Sequence, residues 1–186
     1  MGKSLLGPCE ALYPVHVVLV CCLDRSNSRA NAITIAWCGV AASNPPQICI
    51  SVRPSRHSHR LIEEEREFSV NVPSSKILKG TDICGILSGK DGDKLKRACL
   101  TASPASKISA PILNECPVNI ECRLRHKVNL GSHDLFVGEV VEVHADDGLL
   151  DRNGRIDYAK AGPFVFNQGE YWDLGKKIGH YGFSQK

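Results

Sequence analysis

The chain is short of the features that would place it quickly. In 186 residues there is no G-x-G-x-x-G and no G-x-x-x-x-G-K-[ST] pattern, so no nucleotide is expected on a glycine-rich strand-to-helix turn. The longest apolar run, Val15 to Leu23, contains His16 and falls far below the ~20 residues that span a bilayer. The first residues, Met-Gly-Lys-Ser-Leu-Leu-Gly-Pro, lack the apolar core of an export signal, and Leu6 stands where N-myristoylation requires Ser or Thr. A soluble, cytoplasmic protein without a membrane partner is the expectation. Charge of one sign is lacking too. With 23 Lys and Arg against 20 Asp and Glu, the net +3 does not call for nucleic acid or an anionic surface.

Cysteine is not scarce, but its patterns are. The nine cysteines include no C-x-x-C pair and no zinc-like grouping, so no metal site is expected. Without an export signal, most should be reduced and buried as small hydrophobes. Cys84, beside Gly85, is the candidate for a redox role. The 42% hydrophobic and 23% charged fractions are those of an ordinary globular protein, and the length suits a single domain over residues 1–186.

What is present is mostly strand. Val15–Leu23 is β-rich and ends at the turn-prone Asp24-Arg-Ser-Asn-Ser-Arg29. Asn31–Cys38 alternates, with Ile33, Ile35 and Trp37 on one face and Ala32, Thr34, Ala36 and Cys38 on the other. Gln47–Val52 is a third strand after Asn44-Pro-Pro46, and the short polar connections argue for antiparallel hairpins. A short helix follows with Ser58 as its expected N-cap, then a strand over Glu67–Val72. Ser75–Leu100 reads as mostly helical around a glycine-rich interruption. Two long strands, Val118–Leu130 and Leu135–His144, flank the tight connection Gly131-Ser-His-Asp134. Strands clustered at both ends with helices between them predict a mainly β fold, an antiparallel barrel with peripheral inserted helices.

The densest chemistry lies in Ser51-Val-Arg-Pro-Ser-Arg-His-Ser-His-Arg60, between the third strand and the helix. Hydroxyls and cations at a strand-to-helix junction suit a dianionic phosphate, aided by free N–H groups and the helix dipole. A solvated basic loop is the plainer alternative. Arg60 fits the helix surface, paired with Glu63 or Glu64. Single-stranded nucleic acid is a poor alternative, because the segment has no aromatic for base stacking.

Five stretches occur in register: Asn31-Ala-Ile-Thr-Ile-Ala-Trp37, the basic loop, Phe68-Ser-Val-Asn-Val-Pro73, Ser88-Gly-Lys-Asp-Gly-Asp-Lys94 and Gly131-Ser-His-Asp-Leu-Phe-Val-Gly-Glu139. Together they resemble the flavin-reductase-like family with an FMN-binding split barrel, and its flavoredoxin branch most of all. The resemblance runs from about Pro14 to Gly182. It implies an antiparallel split barrel, bound FMN and a homodimer with the flavin near the subunit contact. By position it suggests Asn31 and Trp37 near the flavin, Ser58 and Ser88 with Lys94 toward the phosphate, His133 in the hairpin, and Phe166 as an aromatic of the last segment.

FMN requires a cationic, hydroxyl-rich phosphate pocket and a flat slot for its ring. Ser55, Arg56 and Ser58 are placed to meet a phosphomonoester by charge-assisted hydrogen bonds, with Lys94 as a mobile charge from another element. Arg53, also a candidate cofactor contact, precedes Pro54, which biases its backbone to an extended form that turns the chain toward the loop. The small side chains of Ala32, Thr34 and Ala36 would let a ring lie against the strand. Trp37 points to the opposite face of a regular strand, which leaves it either a core anchor or, if the strand bends, a residue at the rim of the ring. His133 is either a polar turn residue or a donor or partial positive charge that favours the reduced, anionic flavin. The aromatics of Tyr171–Gly175 and Ile178–Gly182 either pack the terminal segment onto the core or a partner, or line the flavin entrance.

Two functions follow from the resemblance. One is an FMN-dependent flavin reductase that takes hydride from NADH or NADPH and passes electrons to a second acceptor, small molecule or protein. The other is a flavoredoxin-like electron carrier whose FMN is reduced by a partner protein.

Overall fold

The computed structural model describes residues 2–185; Met1 and Lys186, the ends of the expected 1–186 domain, lie outside it. The first apolar run divides at Val17 into β1 (Val15–His16) and β2 (Val18–Asp24). A hairpin turn leads to β3 (Arg29–Ile35), and β4 (Cys38–Ser43) pairs with β5 (Pro46–Val52) as a second hairpin. Helix α1 (His57–Glu65) and β6 (Glu67–Val72) follow. The glycine-interrupted helical region becomes α2 (Leu78–Ile86) and the short α3 (Lys94–Ala98). Two brief strands, β7 (Ala102–Ser103) and β8 (Ile112–Leu113), precede the long hairpin of β9 (Val118–Asn129) and β10 (Asp134–Ala145). The chain closes with α4 (Tyr158–Ala161), β11 (Phe164–Asn167) and β12 (Glu170–Asp173).

Seven strands form one antiparallel sheet in the order β3-β2-β6-β9-β10-β5-β4, and β1, β11 and β12 form a smaller one. Strands β3 and β4 are its edges, yet β3 also touches β5, so the sheet curls toward closure with an open seam. This is the expected antiparallel split barrel with inserted helices. Its interior is filled from alternate positions, among them Val18, Val20, Ile33, Ile35, Ile50, Phe68 and Phe136. The opposite face of β2 and β3 is covered as well, with Leu19, Cys21 and Ala32 packed against Cys84 of α2 and Leu95 and Ala98 of α3. Strand β2 is therefore buried on both faces, which explains an apolar run without alternation. On β10, Gly138 sits beside a β-bulge under the ring of Phe68; an added Cβ would stand 2.5 Å from Phe68 Cζ.

Three local expectations are corrected. The alternating segment does not continue to Cys38, because β3 ends at Ile35 and the chain turns through Ala36 and Trp37 before β4. Trp37 is thereby released from the pleat and is no core anchor; it is 39% exposed, and its carbonyl accepts from Ser51 N at 2.9 Å. Ser58 is not the N-cap of α1. The turn closed by Arg56 N and Arg53 O at 2.9 Å starts the helix earlier, so Arg56 takes the cap and Ser58 is drawn inside with 2% exposure. Arg60 does pair along the helix, with Glu64 at 2.6 Å.

All nine cysteines are free, and five are buried. Burial pushes the Cys84 thiol up to about 11, the opposite direction from the lowered values of reactive cysteines. Among the described residues, no helix is long and apolar enough to cross a membrane.

Candidate flavin site

The start of α1 is electrostatically unusual. No side chain caps it, no acid occupies its first turn, and the residue at the cap is an arginine. The first N–H groups of a helix have no intrahelical partner, and the positive end of the dipole disfavours a cation there. An anion at this point satisfies both. The start of α1 opens on a cavity of about 410 Å³ lined by Arg53, Ser55, Arg56, His57, Ser58, Ser88, Gly89 and Lys94, with Ile33 and Leu87 supplying its apolar surface.

Lys94 is 5% exposed, not the mobile surface charge expected from the sequence. Its Nζ donates to the Cys84 carbonyl at 3.2 Å and the Leu87 carbonyl at 3.0 Å, at the C-terminal end of α2. Burial pulls its ammonium below the usual lysine range. An ammonium has three donors and these carbonyls take two, leaving one for the cavity it lines. Asn31 Nδ2 donates to Ser58 Oγ at 2.7 Å, tying β3 to α1 behind the site. Asn31 Oδ1 and His57 Nδ1 are buried without a partner among the described residues. The other imidazole nitrogen, His57 Nε2, lies 3.2 Å from Asp24 Oδ2. The turn after Ser88 presses close against this group, since a Cβ on Gly89 would stand 2.1 Å from Asn31 Oδ1.

A second cavity of about 230 Å³ continues from the first, sharing Ile33, Arg53 and Arg56. Tyr13, Thr34, Ala36, Trp37, His133 and Phe166 complete its wall with neighbouring backbone. The Trp37 and His133 rings lie 4.6 Å apart at 47°. His133 Nδ1 is 2.9 Å from Ser132 Oγ. Burial, then the nearby Arg53, pushes the His133 imidazole below its usual value. Both effects favour the neutral imidazole, which leaves His133 as a polar group beside the cavity.

The sequence candidates separate clearly. Arg53, Ser55, Arg56, Ser58, Ser88 and Lys94 gather around the polar cavity, while Thr34, Trp37, His133 and Phe166 gather around its aromatic continuation. Asn31 lies behind the polar cavity, bonded to Ser58. Ala32 lines neither cavity; it is fully buried beneath α2 and α3. This small-residue face is divided: Ala32 lies under the helices, and a Cβ on Gly85 of α2 would meet Thr34 Cβ at 3.4 Å, while Thr34 and Ala36 also line the aromatic cavity. Of the C-terminal aromatics, Tyr171 packs edge-on to Phe164 and Phe166 and donates to Asp82 at 3.0 Å, whereas Ile178 and Tyr181 are fully exposed. Several lining residues carry no role in the sequence reading, three polar or backbone-critical ones among them. His57 and Gly89 stood inside recognised motifs with no role assigned, and Tyr13 carries no local signal.

Comparison with known proteins places the chain among relatives of the same fold. The model of the flavin reductase like domain matches residues 11–175. A protein of Archaeoglobus fulgidus is 32% identical over 158 residues, 85% of this chain and 88% of its own. Among solved structures, the flavoredoxin of Desulfovibrio vulgaris (Miyazaki F) is similar at a TM-score of 0.92 and 34% identity, covering 100% of both chains. Flavoredoxin from Methanosarcina acetivorans gives 0.89 at 26% identity, over 100% of this chain and 98% of its own. At 22% identity, nitrilotriacetate monooxygenase component B from Bacillus cereus shares the fold, with a TM-score of 0.86 over 97% and 98% of the two chains.

Proposed function

Because the chain belongs to the flavin reductase-like family, we propose that it is an FMN-binding oxidoreductase that takes hydride from NADH or NADPH and passes electrons to a second acceptor. The observation that carries this reading is the uncapped start of α1, with arginine at its cap, facing a cavity of serines and a buried lysine. That is a phosphate cradle completed by its ligand. The residues fit the rest of FMN as well. Trp37, Phe166 and Tyr13 offer aromatic surface for the ring, and the partnerless Asn31 Oδ1 suits a hydroxyl donor of the ribityl chain. When bound, the flavin supplies the hydride and electron transfer. Arg56, Ser55, Ser58 and Lys94 would hold the phosphate, and Trp37, Arg53 and His133 would line the part of the site that receives the ring.

A second reading is an electron carrier whose FMN is reduced by a partner protein. Its support is the 34% and 26% identity to two flavoredoxins across the whole chain. In both readings the working unit is a cytoplasmic homodimer.

The visible spectrum of purified protein titrated with FMN tests the cofactor, and a sample that takes up none defeats both readings. Anaerobic NADH or NADPH then separates them. Flavin bleaching within the turnover time supports the reductase, while bleaching that requires a donor protein supports the carrier.

A further inference from the structure

Arg53 occupies a place that neither phosphate binding nor folding explains. It follows β5 directly and lines both cavities, at the junction of the polar and aromatic ends. Most of the arginines away from the site find acceptors: Arg25 with Glu65, Arg60 with Glu64, Arg66 with the Leu124 carbonyl, Arg123 with the Lys107 carbonyl, Arg125 with Glu139. The Arg53 guanidinium has no hydrogen-bond or ion-pair partner among the described residues. Its backbone is fixed on one side by strand pairing and on the other by Pro54 and the turn to Arg56. A guanidinium without a partner, at the junction of the two cavities, leaves its charge free for a ligand.

We infer that Arg53 is the residue through which this site favours the reduced, anionic flavin over the oxidised one. This rests on the reading of the cavity as an FMN site. Oxidised FMN carries its charge on the phosphate alone. Uptake of two electrons and one proton leaves an additional negative charge on the ring system, near N1 and the C2 carbonyl. The phosphate end already has Lys94 and the start of α1, whose attraction is nearly the same for both redox forms. Arg53 and Arg56 both line the two cavities, but Arg53 is the one that acts on the His133 imidazole at the aromatic end, so its attraction grows on reduction. The other groups at that end do not compete. His133 is biased to its neutral form, and the carboxylate of Asp134, next in sequence, is already engaged by His59 at 2.8 Å, Asn129 at 2.7 Å and Lys127 at 3.3 Å. Removing Arg53 therefore acts on the difference between the two redox forms, whereas removing Lys94, which lines the polar cavity and not its aromatic continuation, acts on both alike.

Two measurements test this. In the first, the dissociation constants of oxidised and dithionite-reduced FMN are compared for the parent protein, Arg53→Ala and Arg53→Lys. Arg53→Ala is expected to weaken reduced FMN at least tenfold more than oxidised FMN, lowering the two-electron midpoint potential by about 30 mV per tenfold. Arg53→Lys should restore most of the difference. Equal weakening of both forms, or an unchanged potential, overturns the inference. The second uses the flavin-free protein. The His133 imidazole, followed by NMR, should titrate higher in Arg53→Ala than in the parent and return in Arg53→Lys. An unmoved His133 overturns the placement of the charge. Failure of the parent to bind FMN in either redox state overturns the inference together with the flavin reading, and the imidazole titration identifies that case by still reporting the Arg53–His133 proximity.

Discussion

Replacing Lys94 by methionine separates ligand binding from folding at a site where the two are intertwined. The side chain keeps its length and loses its charge. In the folded protein the ammonium satisfies the Cys84 and Leu87 carbonyls but bears the cost of burial, seen in its lowered pKa. These effects oppose each other, so the flavin-free protein should change by no more than about 1 kcal/mol, roughly 2–4 °C in Tm for a domain of this size. The ligand loses its charge-assisted bond outright. At about 1.5–3 kcal/mol, this weakens FMN by roughly tenfold to a hundredfold. Quenching of FMN fluorescence gives the affinity, and thermal denaturation of the flavin-free variant gives the stability. The sign of the pH dependence follows from the same geometry. Only the cation attracts phosphate, and its pKa lies below the ordinary 10.5, so parent affinity should begin to fall at a lower pH than an exposed lysine would allow, and this limb should vanish in Lys94→Met. A variant of normal stability that binds FMN within twofold of the parent would refute the assignment.

Arg56→Ala should weaken FMN by at least tenfold with Tm unchanged, because the side chain is exposed at the cavity; flavin titration and thermal denaturation check both halves. Gly89→Ala places a methyl 2.1 Å from Asn31 Oδ1, so either the turn or Asn31 must move, and flavin affinity should drop with a stability loss of about 1–3 kcal/mol; urea unfolding and titration read the two. Gly138→Ala drives a methyl into Phe68 far from the cavity, so the same measurements should show lost stability at full flavin affinity for the protein that remains folded. Asp24 and Asp134 are held below the ordinary carboxylate range chiefly by hydrogen bonds from Ser26 and His59, respectively. For Glu121, burial opposes ionisation, but bonds from His144, Ser106 and Lys107 outweigh it. Their stabilisation is present above the unfolded pKa and is lost as pH falls through the folded values, so urea midpoints should decline below about pH 4, less steeply in Glu121→Gln.

The strands were legible because burial dictates their pattern. The doubly buried β2 gave an unbroken apolar run, and the β9–β10 hairpin gave clear alternation. The end of β3 was not, because Ala36-Trp37-Cys38 carries no breaker and the turn is set by Ser51 N bonding the Trp37 carbonyl from a distant strand. The cap of α1 was misplaced for a related reason: serine is the better cap by propensity, but the Arg53–Arg56 turn decides where helical geometry begins. The polar end of the site could be read because its hydroxyls and cations lie within a few residues of one another. The small face of β3 was legible only in part, since small side chains suit a covering helix, as at Ala32, as well as a cavity wall, as at Thr34 and Ala36. The burial of Lys94 had no signature, because its partners are main-chain carbonyls.

The connection between β5 and α1 is only Arg53 to Arg56, yet it contributes to both cavities. This single bend acts as a ruler whose length sets the separation of the charged and aromatic ends. Side chains along it can be exchanged one at a time, each with a graded effect. Lengthening it by a residue would shift one end relative to the other while every contacting group stayed intact, so the spacing is less forgiving than the identities it carries.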